Sequence, residues 1–392
     1  AWLYQREYKM KILYVLNSSK FGGMEVHVLD LVKGMVKKGH EVFVWCPKGE
    51  MSDLYQRNGA VVSNEFISKD FDFKYISKLK KYVEDNNIDI VHAHELKAVV
   101  NSLLACRNTK VKAVVTHTHT PISEWQINSI KKFLNVRLYS FVVNKLSSAE
   151  IALTESKKKV KIKEGINEKI LEVIPNGIDT SIFNIPALHR FEFEKEIKRR
   201  HGIPEDAFVF GNLGRITQEK GHEVLVRAFS KFLNSQLFRK EKMYLLIVGG
   251  GALEDKIKNL VKELELDKNV VITGRFDDED KIKYFSTFDV FVFPTLAEGF
   301  GIVLIEAMSM GLPVICSNLE VLKEVGEDYV KFFNVGDYED LSDKMVDEYN
   351  KTGSENKNLV EGAREFVENN YSLESFVDKY DYLYLKLMGD KK

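Results

Sequence analysis

A chain of 392 residues is too long for one ordinary hydrophobic core, so two domains are expected. With 44% hydrophobic and 29% charged residues it reads as a soluble globular protein; no apolar run approaches the roughly 18 residues that span a bilayer, and no signal-peptide core is read at the start. The formal net charge is −1, but residues 1–180 carry 28 Lys+Arg against 20 Asp+Glu and the remainder 29 against 38, a split that suits a first half meeting an anionic partner, with scattered solvated lysines as the plainer alternative.

Residues 1–9 read as a prefix, and Met10-Lys11-Ile12-Leu13 as a natural start of the fold. Lys11–Leu16 is a short apolar strand. After Gly22-Gly23, the spacing of Val28, Leu31, Val32 and Met35 predicts a helix closed by Gly39. Further strands are predicted at Glu41–Cys46, Ile88–His92, Ala113–His117, Ala149–Thr154 and Glu172–Ile174, with a helix near Leu96–Cys106. The stretch Ile130–Tyr139 is helical and mixes Lys131, Lys132 and Arg137 with apolar residues. An ordinary amphipathic core helix is its plainer reading, and a face attracted to anionic lipid the sharper one.

The second half repeats the pattern, with strands at Phe208–Asn212, Tyr244–Val248, Val270–Thr273, Val290–Phe293 and Val314–Cys316. The join lies near Pro175-Asn176-Gly177-Ile178-Asp179 and the charged segment His189–His201. Ser372–Met388 is helical, with apolar Leu373, Phe376, Val377, Tyr380, Leu383 and Tyr384. Short strands alternating with helices mean parallel sheets covered on both faces, and such sheets bind ligands at the carboxyl ends of their strands. The expected class is α/β, two Rossmann-like doubly wound domains.

A nicotinamide-binding domain is disfavoured, because the first turn lacks G-x-G-x-x-G and the second strand ends in Cys46-Pro47 where a ribose-binding acid belongs. Gly249-Gly250-Gly251 is by itself plain turn chemistry. In Gly214-Arg215-Ile216-Thr217-Gln218-Glu219-Lys220-Gly221, two cations five apart can converge on a diphosphate leaving group and stand in for a metal. In Glu298-Gly299-Phe300-Gly301 followed by an apolar helix pattern, Glu298 lies in the strand-to-helix loop and Glu306 about two turns into the helix. A glycine-built helix start offers N–H groups to an anion, flanked here by two carboxylates able to hold hydroxyls, which suits a nucleotide-sugar.

Asp70-Phe71-Asp72 and Asp278-Glu279-Asp280 end no long strand and are read as loop or helix-start charges, so no metal site is expected. Cys46, Cys106 and Cys316 fit no metal spacing and are read as buried reduced thiols. In Thr116-His117-Thr118-His119-Thr120 the two histidines share a strand face, while His92 and His94 are read as a polar strand terminus.

These motifs occur in an order that resembles family-four retaining glycosyltransferases of the GT-B fold, the glycogen-synthase-like group 1. They are Gly22-Gly23-x-Glu25, Ile174–Asp179, Gly214-Arg215 with Lys220-Gly221, Ile247–Gly251, Thr273-Gly274-Arg275, and Glu298 with Glu306 followed by Gly311–Val314. The resemblance spans residues 10–388. It implies two domains facing a deep cleft: 10–185 for acceptor, joined by a C-terminal helix at 372–388 that crosses back, and 186–371 for donor. It implies Arg215 and Lys220 on the donor diphosphate, Glu298 on donor-sugar hydroxyls, and Phe300 and Gly301 with amides on sugar or phosphate. It further implies Glu306 on the ribose, Arg275 lining the base, Gly249 in the donor site, and Gly22 and Gly23 facing phosphate or acceptor. A histidine after a strand of the first domain contacts the donor sugar; His119, at the strand end, is favoured over His117.

The implied activity is transfer of a hexose from a nucleotide-sugar to a glycan, glycolipid or small-molecule acceptor, with retention and without metal. The donor is expected to be a UDP-sugar, with GDP- or ADP-sugars as alternatives, and no tightly bound cofactor or nucleic acid is expected. The implied place is the cytoplasm, with peripheral contact at the inner membrane surface through the basic first domain. The alternatives are an epimerase or phosphorylase on the same fold, or a non-catalytic sugar-nucleotide-binding subunit.

Overall fold

Among the described residues, thirteen short strands build two separate parallel sheets. The first sheet contains β1 (Lys11–Val15), β2 (Glu41–Cys46), β3 (Val61–Asn64), β4 (Ile90–His94), β5 (Ala113–His117), β6 (Ala149–Ala152) and β7 (Leu171–Val173). Their order is β3-β2-β1-β4-β5-β6-β7. Alternation along each strand feeds two cores. Ile12, Tyr14, Val42 and Val44 face one side, under helices Gly23–Lys37 and Leu373–Gly389. Leu13, Val15, Phe43 and Trp45 face the other, under helices Phe73–Asp85 and Leu96–Cys106. Burial on both faces is why these strands read as continuous apolar runs.

The second sheet contains β8 (Phe208–Leu213), β9 (Met243–Val248), β10 (Val270–Ile272), β11 (Val290–Phe293), β12 (Val314–Ser317) and β13 (Lys331–Phe333). Its order is β10-β9-β8-β11-β12-β13. Phe210, Leu245, Ile247, Val292 and Ile315 pack beneath helices His222–Ser235 and Tyr338–Asn350. The strand order reverses between β1 and β4 in one sheet and between β8 and β11 in the other. Those switch points are where open α/β sheets form ligand crevices.

This computed structural model describes residues 9–20, 22–235, 240–351 and 353–389. Residues 1–8 of the prefix lie outside the described residues. The chain divides into two units, Ala1–Asn176 with Leu373–Lys392, and Gly177–Ser372. Three details depart from the sequence reading. β4 begins and ends two residues later than expected, which draws His92 and His94 into the strand. β6 stops at Ala152 because Thr154 instead caps the next helix, accepting a hydrogen bond from the Lys157 amide. Edge strands β3 and β13 were not anticipated; both are short and only partly buried, so neither shows an apolar run.

Candidate functional site

The carboxyl edge of the second sheet gathers the glycine motifs. Gly214 follows β8, Gly249 follows β9 and Gly274 follows β10. The Gly214 amide donates to the Val248 carbonyl and the Ile216 amide to that of Gly250, both at 3.0 Å. At Gly249, φ is +136°, and an added Cβ would stand 2.0 Å from the Gly214 carbonyl oxygen. The glycine run is therefore more than a turn: it lets the loop carrying Arg215 lie backbone-to-backbone against its neighbour. Arg215 and Arg275 are both exposed at this edge.

Lys220 is held differently. The Glu219 carbonyl accepts from the Leu296 amide at 2.7 Å and from Thr295 Oγ1 at 2.9 Å, while Thr217 Oγ1 donates to Glu219 Oε1 at 2.7 Å. Gly221 is left-handed and abuts the Pro294 carbonyl, a position that an added Cβ would occupy at 2.0 Å. This clamp joins the loop after β8 to the loop after β11. It brings Lys220 Nζ to 2.7 Å from Glu298 Oε2, with both side chains partly exposed. The two motifs thus meet although 78 residues separate them.

Gly301 caps helix Ile302–Ser309 in a left-handed conformation. The first amides of a helix have no intrahelical partner, so the loop Glu298–Gly301 aims donors out of the sheet edge. The Phe300 side chain is buried against Tyr371, ring centroids 5.6 Å apart, so only its backbone can serve a ligand. Glu306 sits in the second turn, nearer the start than the sequence spacing suggested, because the helix begins at Ile302. It is buried beside Lys281, Nζ to Oε1 3.2 Å, and burial raises its pKa while Lys281 opposes the rise. Lys281 carried no sequence signal, being one lysine of a charged turn.

The first unit places its polar groups on a sheet face. His94 and His117 are register partners on β4 and β5, and His92 lies two residues before His94. All three are fully buried, so the polar end of β4 lies in the core and not at a solvated rim. His27, in the second turn of helix Gly23–Lys37, comes against them; its ring lies 5.2 Å from that of His117 and 4.7 Å from that of His119. Gly22 and Gly23 open the same helix, so the structure links the glycine motif to His119 through His27. Burial holds all five imidazoles below their usual pKa, His27 at about 4. His27 escapes sequence reading because a single histidine on an apolar helix face is usually only core.

A buried ion pair supports the segment between the histidines. Lys161 Nζ lies 2.5 Å from Glu150 Oε1 and donates to the Thr118 carbonyl and hydroxyl, each at 3.0 Å. Tyr139 and Thr116 complete the carboxylate. With every group satisfied, the pair fixes Thr118 and so the backbone on either side of it. Glu95, which precedes helix Leu96–Cys106, has φ +69°, rare for a residue with a side chain, and accepts from the His119 amide at 3.2 Å. Burial pushes its pKa up to about 7. It lines a pocket of about 280 Å³ with Trp125, Lys131 and Asn135.

Lys131 belongs to helix Ser129–Leu146, whose first half is not a core helix. Ile130, Phe133, Leu134 and Phe141 are 72%, 58%, 59% and 65% exposed and fall on one helical stripe. Only Tyr139, Ser140, Val142 and Val143 are buried. Arg137 stands over the Phe133 ring at 5.3 Å.

The acidic strings are occupied by other work. Asp72 caps a helix through the Tyr75 amide, Asp70 pairs with Lys97, Asp278 with Lys281, and Asp280 with Arg200 and Lys283. The three cysteines are buried and unpaired. Among the described residues no helix is long and apolar enough to cross a membrane.

Residues 21–182 match the family described as Glycosyltransferase Family 4, and residues 193–366 match Glycosyl transferases group 1. The chain is 24% identical over 393 residues to an O-antigen biosynthesis glycosyltransferase WclY of Escherichia coli, covering 97% of this chain and 99% of that one. It is 27% identical over 327 residues to an Escherichia coli UDP-Gal:alpha-D-GlcNAc-diphosphoundecaprenol alpha-1,3-galactosyltransferase, covering 82% and 81% of the two chains. Among solved structures, a glycosyltransferase from Rickettsia africae ESF-5 superposes with a TM-score of 0.85 over 98% of this chain and 100% of that one, at 22% identity.

Proposed function

Because the chain belongs to the group 1 glycosyltransferases and has their GT-B fold, we propose that it transfers a hexose from a UDP-sugar to a lipid-linked or otherwise anionic acceptor, with retention of configuration. The observation that carries this reading is the Lys220–Glu298 contact of 2.7 Å, set beside the close-packed glycine loops that bear Arg215. It makes one compact set of cations, amides and a carboxylate at the switch point of the Gly177–Ser372 unit.

Without donor, Lys220 neutralises Glu298. A diphosphate takes over Lys220 together with Arg215, and the released carboxylate is then free to accept hydrogen bonds from sugar hydroxyls. Glu306 holds the ribose and Arg275 borders the base. As the glycosidic bond breaks, charge grows on the departing phosphate, where fixed cations and helix-start amides act most strongly. No carboxylate is assigned as nucleophile. The leaving phosphate oxygen takes the acceptor's proton while the acceptor oxygen bonds the anomeric carbon on the same face. The Ala1–Asn176 unit takes the acceptor, with Glu95 in its pocket, and supplies His119 to the donor sugar.

The choice of UDP is supported by the galactosyltransferase relative, whose name also specifies a diphosphoundecaprenol-linked substrate. The exposed stripe and bases of helix Ser129–Leu146 support an acceptor met at an anionic membrane surface. The test is nucleoside diphosphate release from UDP-, GDP- and ADP-sugars, with and without lipid-linked acceptor. Acceptor-dependent release of UDP, with the anomeric configuration kept in the product, is expected. Sugar interconversion without acceptor means an epimerase, phosphate-driven release a phosphorylase, and binding with no turnover a non-catalytic subunit. Transfer is expected to proceed in the absence of Mg²⁺ and Mn²⁺; loss in chelator that either ion restores would contradict the cationic role of Arg215 and Lys220.

A further inference from the structure

His27, His94, His117 and His119 each offer a ring nitrogen, and these nitrogens all lie within 4.8 Å of one another. They come from three parts of the first unit: helix Gly23–Lys37, the paired strands β4 and β5, and the segment just after β5. We propose that these four imidazoles form a binding site for one late first-row transition dication, Zn²⁺ foremost, in the interior of this unit.

The hydrogen-bond pattern carries the argument. His27 Nδ1 lies 2.8 Å from the Asn176 side-chain oxygen, an acceptor, so the proton sits on Nδ1 and the Nε2 lone pair is left toward the cluster. Metal-bound imidazoles are held in this way by an outer carbonyl partner. His94 Nδ1 and His119 Nε2 are 3.2 Å apart. Two imidazole nitrogens on one tetrahedral Zn²⁺ stand about 3.3 Å apart. A hydrogen bond between that pair leaves the other nitrogens unexplained: His27 Nε2, His94 Nε2 and both nitrogens of His117 are buried and have no hydrogen-bond partner among the described residues. A buried polar nitrogen left without a partner is costly. A single cation drawing the four rings together through His94 Nδ1 and His119 Nε2 engages two of these orphans, His27 Nε2 and one nitrogen of His117. The largest nitrogen separation must shorten by about 1.5 Å to reach tetrahedral spacing. Side-chain torsions supply that movement, since the Glu95 carboxylate holds the His119 amide.

The donor set also chooses the ion. Four neutral imidazoles with no carboxylate suit Zn²⁺, Cu²⁺ or Ni²⁺ and not Mg²⁺ or Ca²⁺, which require oxygen. The site is therefore distinct from any ion that would bridge a donor diphosphate. Ligation through Nε2 leaves Nδ1 as the proton-bearing atom of His119, so the ion would fix the tautomer that this residue shows a ligand.

The full-length chain without a histidine tag is stripped with chelator and titrated with ZnCl₂ against a chromophoric chelator. One equivalent bound at submicromolar Kd is expected, with a higher Tm in Zn²⁺ but not in Mg²⁺. A His94→Gln/His117→Gln variant is expected to lose that equivalent, whereas His92→Gln keeps it. Should the double variant fail to fold, Co²⁺ bound to the unaltered chain reports directly, since four-coordinate nitrogen ligation gives intense visible bands. Substoichiometric Zn²⁺ uptake, a weak octahedral Co²⁺ spectrum, or undiminished uptake by a folded double variant would each overturn the proposal. None of these readouts depends on sugar transfer, so a failure here is separable from a failure of the transferase reading.

Discussion

The two units present polar chemistry at a parallel sheet with different materials. The Gly177–Ser372 unit works with backbone: glycines bring loops into contact, helix-start amides point outward, and the charged side chains sit at the exposed rim. The other unit works with side chains driven inward: four buried histidines with His119 half-buried beside them on one sheet face, and a buried Glu150–Lys161 pair beside Tyr139 on the other. A rim of exposed charges is fitted to seize and release an anion. An interior of neutral imidazoles is fitted to hold shape, or an ion, with little exchange.

The largest effect should come from the exposed rim. Arg215→Ala or Lys220→Ala is expected to lower turnover by about 10²–10³-fold, the usual scale for losing a fixed group on developing charge, with circular dichroism and Tm unchanged. A correctly folded double variant with near-normal rates would break the comparison, because the rim would then be solvated charge only.

The glutamates sharpen it further. Glu306 is buried and paired with Lys281, and Glu298 is partly exposed and paired with Lys220. Glu306→Gln is expected to weaken nucleoside diphosphate binding about tenfold, and Glu298→Gln to lower sugar turnover by about 10–100-fold, each the scale of a charge-assisted hydrogen bond or two. Calorimetry with the free diphosphate separates the roles; equal loss of affinity in both variants would contradict them.

The same contrast explains what sequence could reveal. Arg215, Lys220, Glu298 and the glycines stand out because a backbone-built site needs particular residues at short, fixed spacing. The sheet strands stand out because burial on both faces makes them apolar throughout, and β3 and β13 escape because edge strands need not be. The histidine cluster escapes for another reason. His94 and His117 become neighbours only through strand register, and His27 joins them only when its helix packs over the sheet. Lys281 and Glu95 likewise acquire meaning from position: one beside a buried carboxylate, the other at a strained φ against the His119 amide.

Within the histidines, His119→Ala is expected to reduce transfer by about tenfold, one lost hydrogen bond to a reacting ligand, and more than His117→Ala does. His117 is fully buried and has no path to a sugar, whereas His119 is half-buried at the strand's end. Steady-state rates ranked the other way would move the ligand contact to His117.

The smallest expected effect concerns a place where the first unit, too, works at its surface. On helix Ser129–Leu146 the apolar stripe Ile130, Phe133, Leu134 and Phe141 lies open beside Lys131, Lys132 and Arg137. An apolar stripe exposed to water is unfavourable unless something covers it, and interleaved bases suit anionic lipid headgroups. Each base near such a surface contributes on the order of 1 kcal/mol, less as salt screens it. Lys131→Gln with Lys132→Gln should therefore weaken co-sedimentation with anionic vesicles several-fold at low salt and less at physiological salt. Phe133→Ser should weaken it at both, because the apolar contribution is not screened. Lack of binding to anionic vesicles at low salt, or binding indifferent to all three substitutions, would return this helix to the role of a solvated face.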